Sequence, residues 1–364
     1  MKFSMQNLML NGVEKTLFGL RSLFEKFGYS AYKMNKFEEY DLYVKNKDFL
    51  ISENVITFTD TNGKLMALKP DVTLSIVKNT KYDGKLRKVY YDENVYRVSK
   101  GSNLFREIPQ TGIECLGDID DFCVSEVLSL AIKSLKSISD SVVLEISPFN
   151  IVFETLEKLN LSQEVLDKIY KCLTEKNAHE LESVLKENAV SSECTEFLLG
   201  LVKLDGKVSE IFTFLKRASQ KLNLKGVSEF ENYLGGLTEA EKSVIKVDFS
   251  LCANLKYYNG IIFKGYVEGV PVAILSGGRY DNLMKRVGKN CGAIGFAIYL
   301  DAIDRLFADK KEYDVDVVVV YKDGVSVKKL TEFASELRAQ GNSVTVIKNL
   351  PEKITYKKII QFEE

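Results

Sequence analysis

The sequence predicts an α+β fold: an antiparallel sheet flanked by helices, a helical insert, and a small α/β tail. Three observations carry this reading. Short apolar runs of strand length alternate with amphipathic helices over residues 1–149 and again over 244–310. Between them, residues 150–243 contain no proline and repeat a helical periodicity. Beyond residue 310, a nearly continuous apolar run, a helix and a second apolar run follow one another, the pattern of a parallel βαβ unit. At roughly 150 residues per domain, 364 residues allow two or three domains. The composition shifts place them as a core in two parts (1–149 and 244–310), an insert (150–243) and a small βαβ domain (311–364).

Each element has its own signal. Residues 8–28 form an amphipathic helix, with Leu10, Val13, Leu17, Leu20, Leu23, Phe24 and Phe27 near helical spacing and Gly28 as the stop. Runs at 55–59 and 65–68 read as strands about the Asn62-Gly63 turn. Pro70 and Asp71 open a second helix to about residue 79. Strand-like runs follow at 86–92, 94–98 and 108–117, then a helix at 121–138 and a strand at 142–146. The insert shows helices at 151–159, 163–173, 178–188, 192–202 and 208–218. Strands return at 245–251, 257–267 and 272–275. Ser276-Gly277-Gly278 reads as a turn before a helix at 280–287, and residues 292–297 as a glycine-containing run before a helix to about 307. The tail has strands at 315–321 and 344–347 around a helix at 325–340, with room for one more helix or strand.

Composition excludes several functions. There is one histidine, His179, so Ser-His-Asp or Cys-His catalysis would have to use it, and a His-rich metal site cannot form. It sits among polar neighbours in the insert and reads as a surface residue. No apolar stretch is long enough for a membrane span, residues 1–10 do not read as a secretory signal, and no phosphate-binding GxxxxGK[ST] loop is present. Cys115, Cys123, Cys172, Cys194, Cys252 and Cys291 are scattered without a CxxC pair, as expected of reduced thiols in a cytoplasmic protein. With 50 basic and 51 acidic residues, bulk electrostatics do not favour nucleic acid.

Several segments could carry a site. If 107–117 is a strand, Gln110, Gly112 and Glu114 share one face, acceptors with room between them. The same pattern also describes the solvated face of an antiparallel sheet. Tyr257 and Tyr258 would point to opposite faces, one to a core and one to a cavity, and core packing alone explains such a pair. Gly277 and Gly278 permit close backbone approach to a ligand but also simply join two elements. Arg97, on a β run, suits a carboxylate or phosphate, or one half of an ordinary ion pair.

Taken in order, Leu68-Lys-Pro-Asp-Val-Thr73, Val95-Tyr-Arg97 with Pro109-Gln-Thr-Gly-Ile-Glu114, Tyr257-Tyr-Asn-Gly-Ile-Ile-Phe263, Ser276-Gly-Gly-Arg-Tyr-Asp281 and Gly295-Phe-Ala resemble the histidyl-tRNA synthetase catalytic domain, a class II aminoacyl-tRNA synthetase fold. The resemblance covers roughly residues 1–308. It implies an antiparallel sheet of six or more strands, a dimer, and a histidine-binding set of Asp71, Thr73, Arg97, Gln110, Glu114, Tyr257, Tyr258, Gly277, Gly278 and Tyr280. Asp71 would suit an α-ammonium, and Glu114 and Tyr258 the two imidazole nitrogens.

Two relatives share that fold, the synthetase and the catalytically inactive regulatory subunit of ATP phosphoribosyltransferase, and the departures separate them. Where the synthetase has Arg-Gly-Leu-Asp, this chain has Ala253-Asn-Leu-Lys256. Ala302 replaces the arginine that ends the third class II motif, and Tyr299 replaces its second glycine with bulk where ATP would lie. The loop after Arg97 lacks the Glu-Arg-Pro pattern. Losing two arginines that stabilise phosphate charge removes several kcal/mol of transition-state binding. The resemblance therefore implies histidine binding kept and aminoacylation lost. It implies a regulatory subunit with no cofactor, forming a homodimer within a hetero-oligomer with the short-form catalytic subunit of ATP phosphoribosyltransferase. Feedback by histidine on the first step of histidine biosynthesis would follow. Residues 311–364 resemble the start of the synthetase anticodon-binding domain cut short, which with the near-neutral charge agrees with no tRNA role. A divergent histidyl-tRNA synthetase and an orphan histidine-binding paralogue are the alternatives.

Overall fold

The structure, a computed structural model, describes residues 11–45, 55–98, 104–251, 258–307 and 313–363. The chain divides into two compact units, Met1–Phe307 and Ala308–Glu364.

The first unit begins with α1 (Gly12–Lys26), β1 (Ser30–Ala31), β2 (Phe37–Glu39), α2 (Asp41–Lys45), β3 (Thr57–Thr59), β4 (Leu65–Leu68) and α3 (Val72–Asn79). Long strands β5 (Arg87–Val98) and β6 (Phe105–Gly117) precede α4 (Asp121–Lys136) and β7 (Val142–Pro148). Next come α5 (Phe149–Glu157), α6 (Gln163–Thr174), α7 (Ala178–Glu187), α8 (Ser192–Lys203), β8 (Asp205–Lys207), α9 (Val208–Leu222), α10 (Lys225–Gly235) and α11 (Glu239–Lys242). The unit closes with β9 (Ile245–Asp248), β10 (Ile261–Val267), β11 (Leu275–Arg279), α12 (Asp281–Arg286), β12 (Gly292–Tyr299) and α13 (Leu300–Ile303).

Nine strands form one sheet in the order β1-β5-β6-β12-β11-β10-β7-β9-β8. The sheet is mixed rather than antiparallel: β1 runs parallel to β5 and β9 parallel to β7. Both enter from helical or loop connections instead of tight hairpins, which is what a parallel pairing requires. Its central strands are antiparallel.

Local chemistry explains the helices that back the sheet. Asn11 caps α1: its Oδ1 accepts from Glu14 N at 2.8 Å, and Asn11 N donates to Glu14 Oε2 at 2.8 Å, a capping box. The helix buries Thr16, Leu20 and Phe24, spaced by four. Asp120 caps α4, whose Val124, Val127, Leu128, Ala131 and Leu135 are fully buried in the core behind the sheet. Each buried valine or leucine contributes about 1.5–3 kcal/mol, and the alanine less.

Three sequence readings change. The runs at 86–92 and 94–98 are one strand, β5. Ser276-Gly277-Gly278 is the interior of β11, not a turn, and residues 292–297 belong to β12. Gly277 and Gly295 answer to close strand packing rather than to chain reversal.

The second unit holds β13 (Val315–Tyr321), α14 (Val327–Ala339), β14 (Val344–Ile347) and β15 (Tyr356–Phe362). The sheet order is β14-β13-β15, all parallel, and α14 buries Leu330 against Val317 and Val319.

Candidate functional site

One face of the large sheet carries a cavity of about 320 Å³. Strand alternation selects its floor. Gln110 and Glu114 of β6 share that face, and the register extends it sideways: Tyr299 of β12 lies opposite Gln110, and Gly295 opposite Glu114. Ser276 of β11 stands opposite Ala297, and Lys264 of β10 opposite Ser276. The walls are Asp71, Val72 and Thr73 at the start of α3, Arg97 on β5, and Tyr258 and Tyr280.

Glu114 is buried at its centre, 2% exposed. Its Oε1 accepts from Thr73 Oγ1 at 2.5 Å, and its Oε2 from the Tyr280 hydroxyl. Burial pushes the carboxyl up to about 8, although both hydroxyl donors favour the ionised form. The space for this carboxylate exists because position 295 is glycine: a Cβ there would sit 2.0 Å from Glu114 Oε2.

Asp71 is also buried, and serves as the N-cap of α3, its Oδ1 accepting from Leu74 N at 2.8 Å. Burial raises its pKa, opposed by that amide and by the Arg97 guanidinium. Arg97 donates from Nε to Pro70 O at 3.0 Å and is hydrogen-bonded to the Tyr299 hydroxyl. Burial holds the phenols of Tyr91, Tyr258 and Tyr299 above their ordinary range, so they stay neutral. Gln110 is 3% exposed, and its Nε2 has no hydrogen-bond partner among the described residues. A buried donor left unpaired is costly, and an acceptor on a ligand would satisfy it.

Two supports hold these groups in place. Residues 69–71 are strapped to β5: Lys69 Nζ donates to Glu93 Oε2 at 2.8 Å, and Tyr96 N donates to Lys69 O at 2.9 Å. On the other side, Arg279 pairs with Asp281 at 2.9 Å, Asp281 N donates to Asn259 Oδ1 at 2.8 Å, and Asn259 N donates to Arg279 O at 3.1 Å. That knot fixes Tyr258 and Tyr280 relative to each other.

Of the residues singled out from sequence, Asp71, Thr73, Arg97, Gln110, Glu114, Tyr258, Gly277 and Tyr280 all line the cavity. Gly278 does not. A Cβ there would meet the Tyr258 ring at 2.7 Å, so its missing side chain seats that tyrosine. Tyr257 lies outside the described residues, as do positions 252–256 and 99–103, where two of the departures fall. Sequence reasoning missed Tyr91, Lys264 and Ser276, which line the same space. Alternation along β5, β10 and β11 carries them there, but finding them needs the inter-strand register. His179 is exposed on α7.

The cavity thus joins an acidic group, a guanidinium and a buried carboxyl-phenol cluster, a set suited to a small zwitterion with a polar ring. Among the described residues, no group of three or more His, Cys, Asp or Glu could hold a metal. No helix among them is long and apolar enough to cross a membrane.

Comparison with known proteins bears on this set. The histidyl-tRNA synthetase family profile matches residues 10–303. The chain is 33% identical over 336 residues to an ATP phosphoribosyltransferase regulatory subunit from Caldanaerobacter subterraneus subsp. tengcongensis, covering 89% of this chain and 87% of that protein. Its fold is similar to that of an ATP phosphoribosyltransferase regulatory subunit/histidyl-tRNA synthetase from Bacillus halodurans, with a TM-score of 0.77 at 22% identity over 99% of this chain and 98% of the other. It is also similar to a chain of an ATP phosphoribosyl transferase complex from Thermotoga maritima, with a TM-score of 0.57 at 19% identity, covering 82% of this chain and 98% of that one.

Proposed function

The chain belongs to the ATP phosphoribosyltransferase regulatory subunits, on the histidyl-tRNA synthetase fold, and from that premise we propose that it binds histidine in the Glu114 cavity and regulates a short-form catalytic subunit. The carrying observation is the cluster of Glu114, Thr73 and Tyr280 in the same cavity as Asp71 and Arg97. Asp71 takes the α-ammonium, Arg97 and Gln110 the carboxylate, and Glu114 with Tyr258 the ring. Paired polar groups of this kind reject an amino acid whose side chain leaves them unsatisfied. The regulatory role requires that histidine bind the inhibited assembly more tightly than the active one.

The reading assigns no aminoacylation to the chain. Tyr299 brings a phenol into the cavity, and Ala302, where the motif resemblance sets an ATP-binding arginine, is packed against the core. It also includes a homodimer within the hetero-oligomer. The exposed rings of Phe37 and Phe58, 5.3 Å apart on the small β2-β4-β3 sheet, support a covered surface there. The unpaired thiols of Cys115, Cys123, Cys172, Cys194 and Cys291 suit the cytoplasm.

The test mixes the purified chain with a short-form ATP phosphoribosyltransferase catalytic subunit and titrates histidine. Activity that appears on mixing and falls with histidine is expected. Activity independent of the chain, or histidine-dependent ATP-pyrophosphate exchange by the chain alone, overturns the proposal.

A further inference from the structure

We propose that the cavity takes histidine with a single proton held between the Glu114 carboxyl and the imidazole ring, so that histidine binding has a pH window bounded by those two groups. This rests on the cavity being the histidine site and adds the protonation state that the site selects.

The groups facing Glu114 come from several elements. Thr73 and, at the N-cap, Asp71 face it from α3, Tyr91 from β5, Tyr258 from the segment before β10, and Tyr280 from the β11–α12 junction. Gly295 of β12 brings only backbone. Arg97 and Lys264 line the same cavity, but the guanidinium acts on Asp71 and is bonded to Pro70 O. Hydroxyls, phenols and a second carboxyl therefore surround Glu114, and none of the groups that hold it among the described residues is a cation. A carboxyl taken out of water without a cation keeps its proton. Burial holds this one up to about 8.

The free imidazole of histidine ionises near 6.5. Between the two values both partners are neutral. The carboxyl then donates to the unprotonated ring nitrogen, and the ring N–H donates to a phenol oxygen. If the proton crosses from the carboxyl oxygen to the ring nitrogen, the complex still holds the same number, and solvent gains and loses none. Below about 6.5 the free ring carries an extra proton that must be shed on binding; above about 8 the free carboxylate must regain one. Either limb costs about tenfold in affinity per pH unit.

The experiment measures histidine affinity by titration calorimetry for the wild type and Glu114→Gln, in pairs of buffers with different ionisation heats. Near pH 7, wild-type binding is expected to exchange almost no protons. From about pH 8 to 9, the wild-type dissociation constant should rise about fivefold more than that of the variant, the slope approaching about tenfold per unit only at higher pH. Taking this ratio cancels the ionisation of the ligand's own amine. Parallel profiles above pH 8, or release of a full proton by the wild type near pH 7, overturn the inference. If Glu114→Gln does not fold, the wild-type proton count decides alone. Absence of histidine binding by folded protein at every pH overturns the histidine-site reading itself.

Discussion

Glu114 has a consequence for stability even without ligand. Its carboxyl is held at about 8 in the folded chain against an ordinary 4.5, chiefly by burial. Between those values the folded state binds more protons than the unfolded one, so stability falls as pH rises. The contribution is fully present below about 4.5 and is lost as pH passes through about 8. We expect the unfolding free energy of the ligand-free protein to drop by a few kcal/mol over that window relative to Glu114→Gln, whose amide does not titrate. Urea unfolding of both proteins at several pH values checks this, and parallel curves contradict it. Lys69 makes a second residue-scale case. Its side chain is 0% exposed and paired with Glu93, itself 14% exposed, and burial lowers the lysine pKa against the pull of that partner. Removing one partner strands the other, so Lys69→Met should cost about 3 kcal/mol, and adding Glu93→Leu should restore most of it. A single variant as stable as the wild type in urea would show that the pair does not hold residues 69–71 to β5.

At the scale of elements, β11 and β12 carry the sharpest dependence on glycine. A Cβ on Gly277 would lie 2.4 Å from Gly295 O and 2.6 Å from Phe296 Cβ, inside a strand hydrogen-bonded on both sides. The backbone cannot yield there, so Gly277→Ala should destabilise by about 2 kcal/mol or more and abolish histidine-induced thermal stabilisation. Gly19, on the exposed side of α1, has nothing within 4 Å of an added Cβ. Gly19→Ala should raise stability by up to about 1 kcal/mol, because alanine suits a helix interior. Thermal unfolding of the two variants with and without histidine tests both. The same glycines mark where sequence reading stops. Ser276-Gly277-Gly278 reads as punctuation because glycine clusters break elements along a chain. Here they answer to β10 and β12, whose proximity is not written locally. By contrast, α1 and α4 are legible because their buried residues recur at helical spacing. The edge strands β1 and β8, two and three residues long, are too short to show any alternation. Within the cavity, Asp71, Thr73, Gln110 and Glu114 belong to local motifs, whereas Lys264 joins them only through register.

At the scale of the molecule, the two units have separate cores and unequal means of holding together. The residues lining the cavity fall between 71 and 299, all within Met1–Phe307. Its core includes the long helix α4, strands from the centre of the sheet and helices α5 to α10, down to Phe307 itself, against which Gly12 is packed so closely that an added Cβ would sit 2.2 Å from the ring. The second unit centres on Val317, Val319 and Leu330, with one helix on a three-stranded sheet. So small a core leaves only a few kcal/mol of net stability once the entropy of ordering the chain is subtracted. Unfolding of the whole chain is then not a single transition. Calorimetry should show a small, lower-temperature step from Ala308–Glu364 and a larger one from the first unit. A chain ended after Phe307 should lose the small step and keep the large one within a few degrees. Histidine at about a hundred times its dissociation constant should raise only the larger step, by the equivalent of about 2.7 kcal/mol, and by the same amount in both chains. If shortening the chain removes that ligand shift, the cavity depends on the second unit, and the division of labour argued from its lining is wrong.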